Sequence, residues 1–212
     1  VVKCIFMTRF YGSSSSNDGM TDAQFIHCII NDIYLRFASN TKLINSVVAD
    51  LDGIDNTHEV LLYNSIMKYH DTNGYYGSIS AYNSIFVRTT SGMPYSNCIF
   101  DNCIGINTYN SSYDNYGPFG QGYTNGCTTY TSFEEVFESF TGTFDLDQSY
   151  KLKDEIASSI LGNDGTQVGI YGGFMPYSTR PTYMVLKRCN VANKSTIDGK
   201  LSVDIEVVTE EE

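Results

Sequence analysis

Asp50, Asp52 and Asp55 fall around a glycine in the run Asp50-Leu51-Asp52-Gly53-Ile54-Asp55-Asn56. Carboxylates at that spacing on a turn offer oxygen ligands to a hard cation, so Ca2+ is the one cofactor with a possible place in this sequence. A solvated turn is the plainer reading, and no other cofactor is called for. A second group is aromatic. Tyr109, Tyr113, Tyr116 and Tyr123 lie in a stretch, 107–130, that is rich in Tyr, Asn, Gly and Ser. Tyrosines flanked by amides can stack on sugar rings while hydrogen-bonding their hydroxyls. A loop longer than about 15 residues is commonly functional, although the plainer reading is that this one folds over the body and shields strand edges.

The other reactive residue types form no constellation. His27, His58 and His70 stand singly, and no Ser or Cys sits in a nucleophile-elbow sequence. Arg36, Lys68 and Arg88 are the cations upstream of the Tyr-rich stretch that could serve a lyase as base, and nothing in the spacing brings them together. Six cysteines, Cys4, Cys28, Cys98, Cys103, Cys127 and Cys189, would suit a disulfide framework in a secreted chain. No CxxC pair or zinc spacing occurs. Three of the six fall in a column with serines, which predicts small buried free thiols.

That column belongs to a repeat. Lys3-Cys4-Ile5-Phe6, His27-Cys28-Ile29-Ile30, Asn45-Ser46-Val47-Val48, Asn64-Ser65-Ile66-Met67, Asn83-Ser84-Ile85-Phe86 and Asn97-Cys98-Ile99-Phe100 share one pattern. The Cys/Ser positions advance by 24, 18, 19, 19 and 14 residues. Each step has room for short strands and polar turns but not for a helix, which is the signature of a β-solenoid. Strand alternation predicts that the Cys/Ser column and the columns two before and two after it face the interior. The Ile/Val column one after Cys/Ser then points outward and needs a cover, either the C-terminal tail or a partner chain. The polar column, Lys3, His27 and four Asn, suits a bend in which amides bond to one another and to the backbone.

With this pattern the chain resembles the right-handed parallel β-helix proteins of the pectate-lyase-like superfamily over roughly residues 1–106. Gly162-Asn163-Asp164-Gly165-Thr166-Gln167-Val168-Gly169-Ile170-Tyr171-Gly172-Gly173 and the run Asp198 to Val207 are similar to the closing and tail segments of secreted, uncharacterised β-helix proteins of Bacteroides-type gut bacteria. The resemblance implies a secreted or cell-surface protein. The Asp50–Asp55 run matches the Asn-Thr-Asp motif of polygalacturonases only in part. It lacks the Asn-Thr, the following Asp pair, the His-Gly and the Arg-x-Lys.

Downstream, Ser132 to Phe140 has Phe133, Val136, Phe137 and Phe140 at helical spacing, and Asp154 to Leu161 is a second short helical stretch. Both are expected to pack across the open end of the solenoid. Tyr183–Val191 and Leu201–Val208 predict two strands around Asp198-Gly199. The chain thus divides into coils and Tyr-rich loop at 1–130, a capping segment at 131–176 and a β tail at 177–212. It opens at Val1 inside a strand pattern, which suggests coils and a secretory signal upstream. The expected fold class is all-β: a right-handed parallel β-helix of about six coils with short capping helices and a hairpin-like tail.

The formal net charge is −11. That disfavours nucleic acid and acidic polysaccharide as partners. No run approaches the roughly 20 apolar residues of a membrane helix. The leading functional expectation is an extracellular carbohydrate-binding or adhesin-like β-helix protein whose partner is a glycan or another surface component. The alternatives are a polysaccharide lyase or glycoside hydrolase with part of its site in missing N-terminal coils, and a purely structural stalk.

Overall fold

The computed structural model describes residues 2–12, 19–35, 37–52, 59–68, 78–90, 97–109, 116–145, 147–178, 184–191, 198–199 and 203–209. The chain falls into two compact units, Val1–Tyr177 and Ser178–Glu212. The first is a parallel β-solenoid built from two stacks. One stack contains Ile5–Tyr11 (β1), Ile29–Tyr34 (β3), Val47–Val48 (β5), Ile66–Lys68 (β8), Ile85–Arg88 (β10), Ile104–Asn107 (β12) and Thr128–Tyr130 (β14), with Leu51–Asp52 (β6) pairing to β3 beside this path. The other contains Gln24–Ile26 (β2), Thr41–Ile44 (β4), Glu59–Tyr63 (β7), Ser78–Tyr82 (β9), Ile99–Asp101 (β11) and Tyr123–Asn125 (β13).

Each strand of the second stack leads into a strand of the first through two residues. The first of these is in the left-handed region: Lys3, His27, Asn45, Asn64, Asn83 and Asn102 have φ between 45° and 54°, and Gly126 has φ 62°. Asn and Gly tolerate this conformation best, so the amide column of the sequence is first a backbone requirement. The register also corrects one repeat. Ile99 and Phe100 pair with Ser80 and Ala81 in the second stack, whereas Ile104 pairs with Ile85 in the first. The corner is therefore Asn102-Cys103-Ile104, not Asn97-Cys98-Ile99, and a further corner follows at Gly126-Cys127-Thr128. The Cys/Ser positions become 4, 28, 46, 65, 84, 103 and 127, and the irregular step of 14 disappears.

The second corner residue does more than leave room for its neighbours. Ser65 Oγ donates to the carbonyls of Tyr63 (2.9 Å) and Leu43 (3.1 Å), while accepting from the Ser46 N–H at 3.2 Å. Ser46 does the same between Ile44, Phe25 and the Cys28 N–H. The thiols continue the series: Cys28 accepts from the Cys4 N–H, Cys103 from Ser84, and Cys127 from Cys103 at 3.4 Å. This hydroxyl and thiol ladder uses an N–H that the left-handed residue has turned out of the ordinary strand pairing, and an unpaired buried N–H would be costly.

The corner also breaks the simple alternation expected from sequence. The column two after Cys/Ser (Ile30, Val48, Met67, Phe86) is interior as predicted. The column two before (Ile26, Ile44, Tyr63, Tyr82) is not; it faces outward from the second stack and is half-buried. The residues three before, Phe25, Leu43, Leu62, Ala81 and Phe100, fill the core instead. A left-handed residue between the strands reverses the parity that a continuous strand would keep. At the Cys103 corner the interior position two later is Gly105. A Cβ there would lie 2.3 Å from Pro118 and 2.9 Å from the Phe119 ring. Phe119, from the middle of the Tyr-rich stretch, supplies the missing volume and packs edge-on or tilted against Phe86 and Phe100.

The outward Ile/Val column of the first stack (Ile29, Val47, Ile66, Ile85, Ile104) is covered by the chain itself, within the first unit. Val136, Phe137, Phe140, Tyr150, Leu152, Ile156, Val168 and Ile170 form one buried cluster with it. This is a flank cover rather than the end cap expected. Residues 132–140 are turns, with Phe137 bridged to Leu152 in antiparallel fashion, not the predicted helix. The hydrophobic spacing was right about burial and wrong about conformation. A single short helix, Asp154–Ser159 (α1), appears where the second was expected.

The second unit is an antiparallel pair, Met184–Val191 (β15) and Val203–Thr209 (β16), matching the predicted tail strands. A register shift lies between Leu186 and Arg188, and the Arg188 guanidinium pairs with Asp204 at 3.1 Å.

Candidate functional site

Parallel register makes every outward position of the second stack a column along the solenoid axis. One column runs Ile26, Ile44, Tyr63, Tyr82, Asp101, Asn125; the other runs Gln24, Lys42, Leu61, Ser80, Ile99, Tyr123. The rings of Tyr63 and Tyr82 stack with centroids 5.2 Å apart and planes 12° from parallel. Both residues are half-buried on this outer face. Burial, then the neighbouring Tyr82 and Glu59, pushes the Tyr63 phenol up. Ser80, buried in the other column between Leu61 and Ile99, donates through Oγ to Glu59 Oε1. Toward the last strand the face becomes more open: Ile99 is 44% exposed and Tyr123 68%. In the neighbouring column Asp101 accepts from Asn125 (2.9 Å), Asn102 (3.1 Å) and Asn163 (3.2 Å), which fixes its carboxylate. The surface is mixed, with hydroxyls and amides set among hydrocarbon positions.

The residues singled out by sequence are distributed differently. Tyr109 and Tyr116 meet at Arg88, which is 1% exposed. The guanidinium lies 5.4 Å from the Tyr109 ring centroid and donates through Nη1 to the Tyr116 carbonyl. Tyr116 Oη accepts from Gln121 Nε2 at 3.0 Å. Tyr109 thus offers its ring, and Tyr116 its carbonyl, to a buried cation. Tyr123 stands apart from them on the open face, and Tyr113 lies outside the described residues. Of the acidic turn, the Asp50 carbonyl accepts from the Ile33 N–H at 2.9 Å. Asp55 and the side chain of Asp52 lie outside the described residues, among which no three potential metal ligands cluster. His27 is structural: its Nε2 donates to the Met175 carbonyl at 2.7 Å and its ring packs edge-on against Tyr177. His58, His70 and Arg36 lie outside the described residues.

The Gly-rich motif at 162–173 does not close the solenoid's end. It runs as a strap along the left-handed corners. Asn102 donates to Asn163 Oδ1, the Asn163 N–H donates to Asn83 Oδ1 (3.0 Å), and the Gly169 N–H donates to the Asn83 carbonyl (2.8 Å). Farther along, Asn45 Nδ2 donates to the carbonyls of Ile170 and Gly172, both at 2.8 Å. The strap's glycines follow from this closeness: a Cβ at Gly162 would sit 2.5 Å from Asn83 Cγ. Beside the strap is a cavity of about 390 Å3 lined by Lys151, Asp154, Gln167 and Tyr171 among others. The Lys151 ammonium pairs there with Glu138 at 2.7 Å, which raises its pKa. No helix among the described residues is long and apolar enough to cross a membrane.

Comparison with known proteins gives no match: no family model fits the chain, and no curated protein or solved structure is significantly similar to it. The architecture and the open face therefore have to support the functional reading.

Proposed function

We propose that this is an extracellular or cell-surface β-solenoid that binds a neutral glycan along the outer face of its second stack. The observation carrying this reading is the axial Tyr63–Tyr82 stack beside the exposed Tyr123 and Ile99. Its 5.2 Å ring spacing is close to the advance of one sugar ring along an extended polysaccharide. Successive sugars can then meet equivalent hydroxyl and hydrocarbon positions on successive strands. The net charge of −11 favours a neutral over an acidic chain. The secreted location rests on the sequence resemblance to β-helix proteins, and the Tyr face makes an adhesin-like role a matter of which glycan is presented.

Retention on neutral and acidic polysaccharides in affinity electrophoresis tests this, with Tyr82→Ala plus Tyr123→Ala as the variant and parallel runs in calcium and in chelator. The wild type should be retarded by a neutral polymer, and the double variant should bind at least about tenfold more weakly, equivalent to about 1.4 kcal/mol. Unchanged retention in a folded variant, or no retention of the wild type by any neutral polymer, rejects the reading. Loss of binding in chelator would assign a role to Ca2+ at Asp50, Asp52 and Asp55.

A further inference from the structure

The thiol ladder contains two pairs of cysteines on neighbouring strands, Cys4 with Cys28 and Cys103 with Cys127. They are chemically unlike. Cys103 is fully buried, whereas Cys127 is half-buried and sits at the last corner of both stacks. Cys127 Sγ accepts from the Cys103 N–H at 3.4 Å, and the Cys103 thiol, on the neighbouring corner, donates to the carbonyls of Asp101 (3.4 Å) and Ala81 (3.5 Å). Strand neighbours lie about 4.8 Å apart, within the roughly 4.4–6.8 Å Cα separation that disulfides span. The Thr128 N–H bond to the Cys103 carbonyl, at 3.0 Å, keeps these two corners in register.

We propose that Cys127 is a site of thiol–disulfide exchange, through which a low-molecular-weight disulfide installs a Cys103–Cys127 bond across the last two corners. The Cys127 thiolate attacks one sulfur of the external disulfide, forming a mixed disulfide and releasing one thiolate. Cys103 then attacks Cys127 Sγ, its proton passing to the released thiolate, and the second external thiol leaves. Two protein thiols are oxidised and one small disulfide is reduced to two thiols. The donors around Cys127 support the first step: hydrogen bonding from Cys103 outweighs burial and lowers its pKa to about 7. Burial holds Cys103 well above its ordinary value, so it acts only after Cys127 has been activated. Elsewhere burial raises Cys28 and pushes Cys98 up to about 12, which leaves both unreactive at neutral pH.

The test is incubation with oxidised glutathione, alkylation of the remaining thiols, and peptide mapping by mass spectrometry. The first product should be the Cys103–Cys127 disulfide, with Cys4, Cys28 and Cys98 recovered alkylated and the initial rate half-maximal near pH 7. Cys103→Ser should stop at glutathione on Cys127, and Cys127→Ser should leave Cys103 unmodified. Serine already serves the ladder at positions 46, 65 and 84, so both variants are expected to fold. An unreactive Cys127, a wild-type mixed disulfide that never resolves, or a first disulfide elsewhere overturns the proposal. Should either variant misfold, the wild-type map and its pH profile decide.

Discussion

The two stacks bury a common core but present opposite outer surfaces. The first carries Ile29, Val47, Ile66, Ile85 and Ile104 on its outside, all under the aromatic cover of residues 133–170. The second carries Lys42, Tyr63, Tyr82, Asp101 and Tyr123, and leaves the last of these largely in solvent. A sheet that is apolar on both sides must be sandwiched, whereas one with mixed outward columns can remain open. The difference separates a face spent on stability from a face available for binding.

The sharpest way to break this contrast is to truncate a ring on each side. Phe137→Ala should cost about 3–5 kcal/mol in urea denaturation, as expected for a buried aromatic, whereas Ile99→Ala should cost less than about 1 kcal/mol. Similar losses would mean that the second face is also a packing surface. Next comes the ladder joining the stacks. Ser65→Ala leaves the Ser46 N–H without its acceptor and should cost about 1–3 kcal/mol, while Ser65→Cys, which copies the rule at Cys28 and Cys103, should cost less. Gly162→Ala pushes a methyl against Asn83 and should cost about 1–3 kcal/mol, with faster proteolysis of the strap. Gly117→Ala, where a Cβ meets nothing within 4 Å, is the control. The smallest effect on stability, within about 0.5 kcal/mol, is expected for Tyr123→Ala, which should nevertheless weaken polysaccharide retention.

Solenoid, tail strands and covered apolar column were legible because each rests on side-chain columns that repeat in the sequence. The register near residue 100 was not. Asn97-Cys98-Ile99-Phe100 and Asn102-Cys103-Ile104-Gly105 are chemically similar, and Phe100 looks more like the other copies than Gly105 does. Gly105 fits only because Phe119, 14 residues later, fills the space, and no local pattern announces that exchange. Parity failed for a related reason: a left-handed Asn is invisible to an alternation rule that assumes a continuous strand. Tyr63 and Tyr82 were noticed as members of a column but assigned to the interior, so the open face was missed. The columns of the second stack could have been found by extending the alignment to the residues four before Cys/Ser, where Gln24, Lys42 and Leu61 turn polar or mixed.

The strap has a consequence for how many coils can lie between His27 and Asn102. A bare solenoid can gain or lose a turn with little penalty, since each coil touches only its neighbours. Here residues 163–177 grip corners from Asn102 back to His27, so one continuous segment gauges the length of that part of the stack. A coil inserted or deleted between those corners would put every later contact out of step by one strand spacing. The strap thereby fixes the number of coils between His27 and Asn102, whatever lies outside that interval.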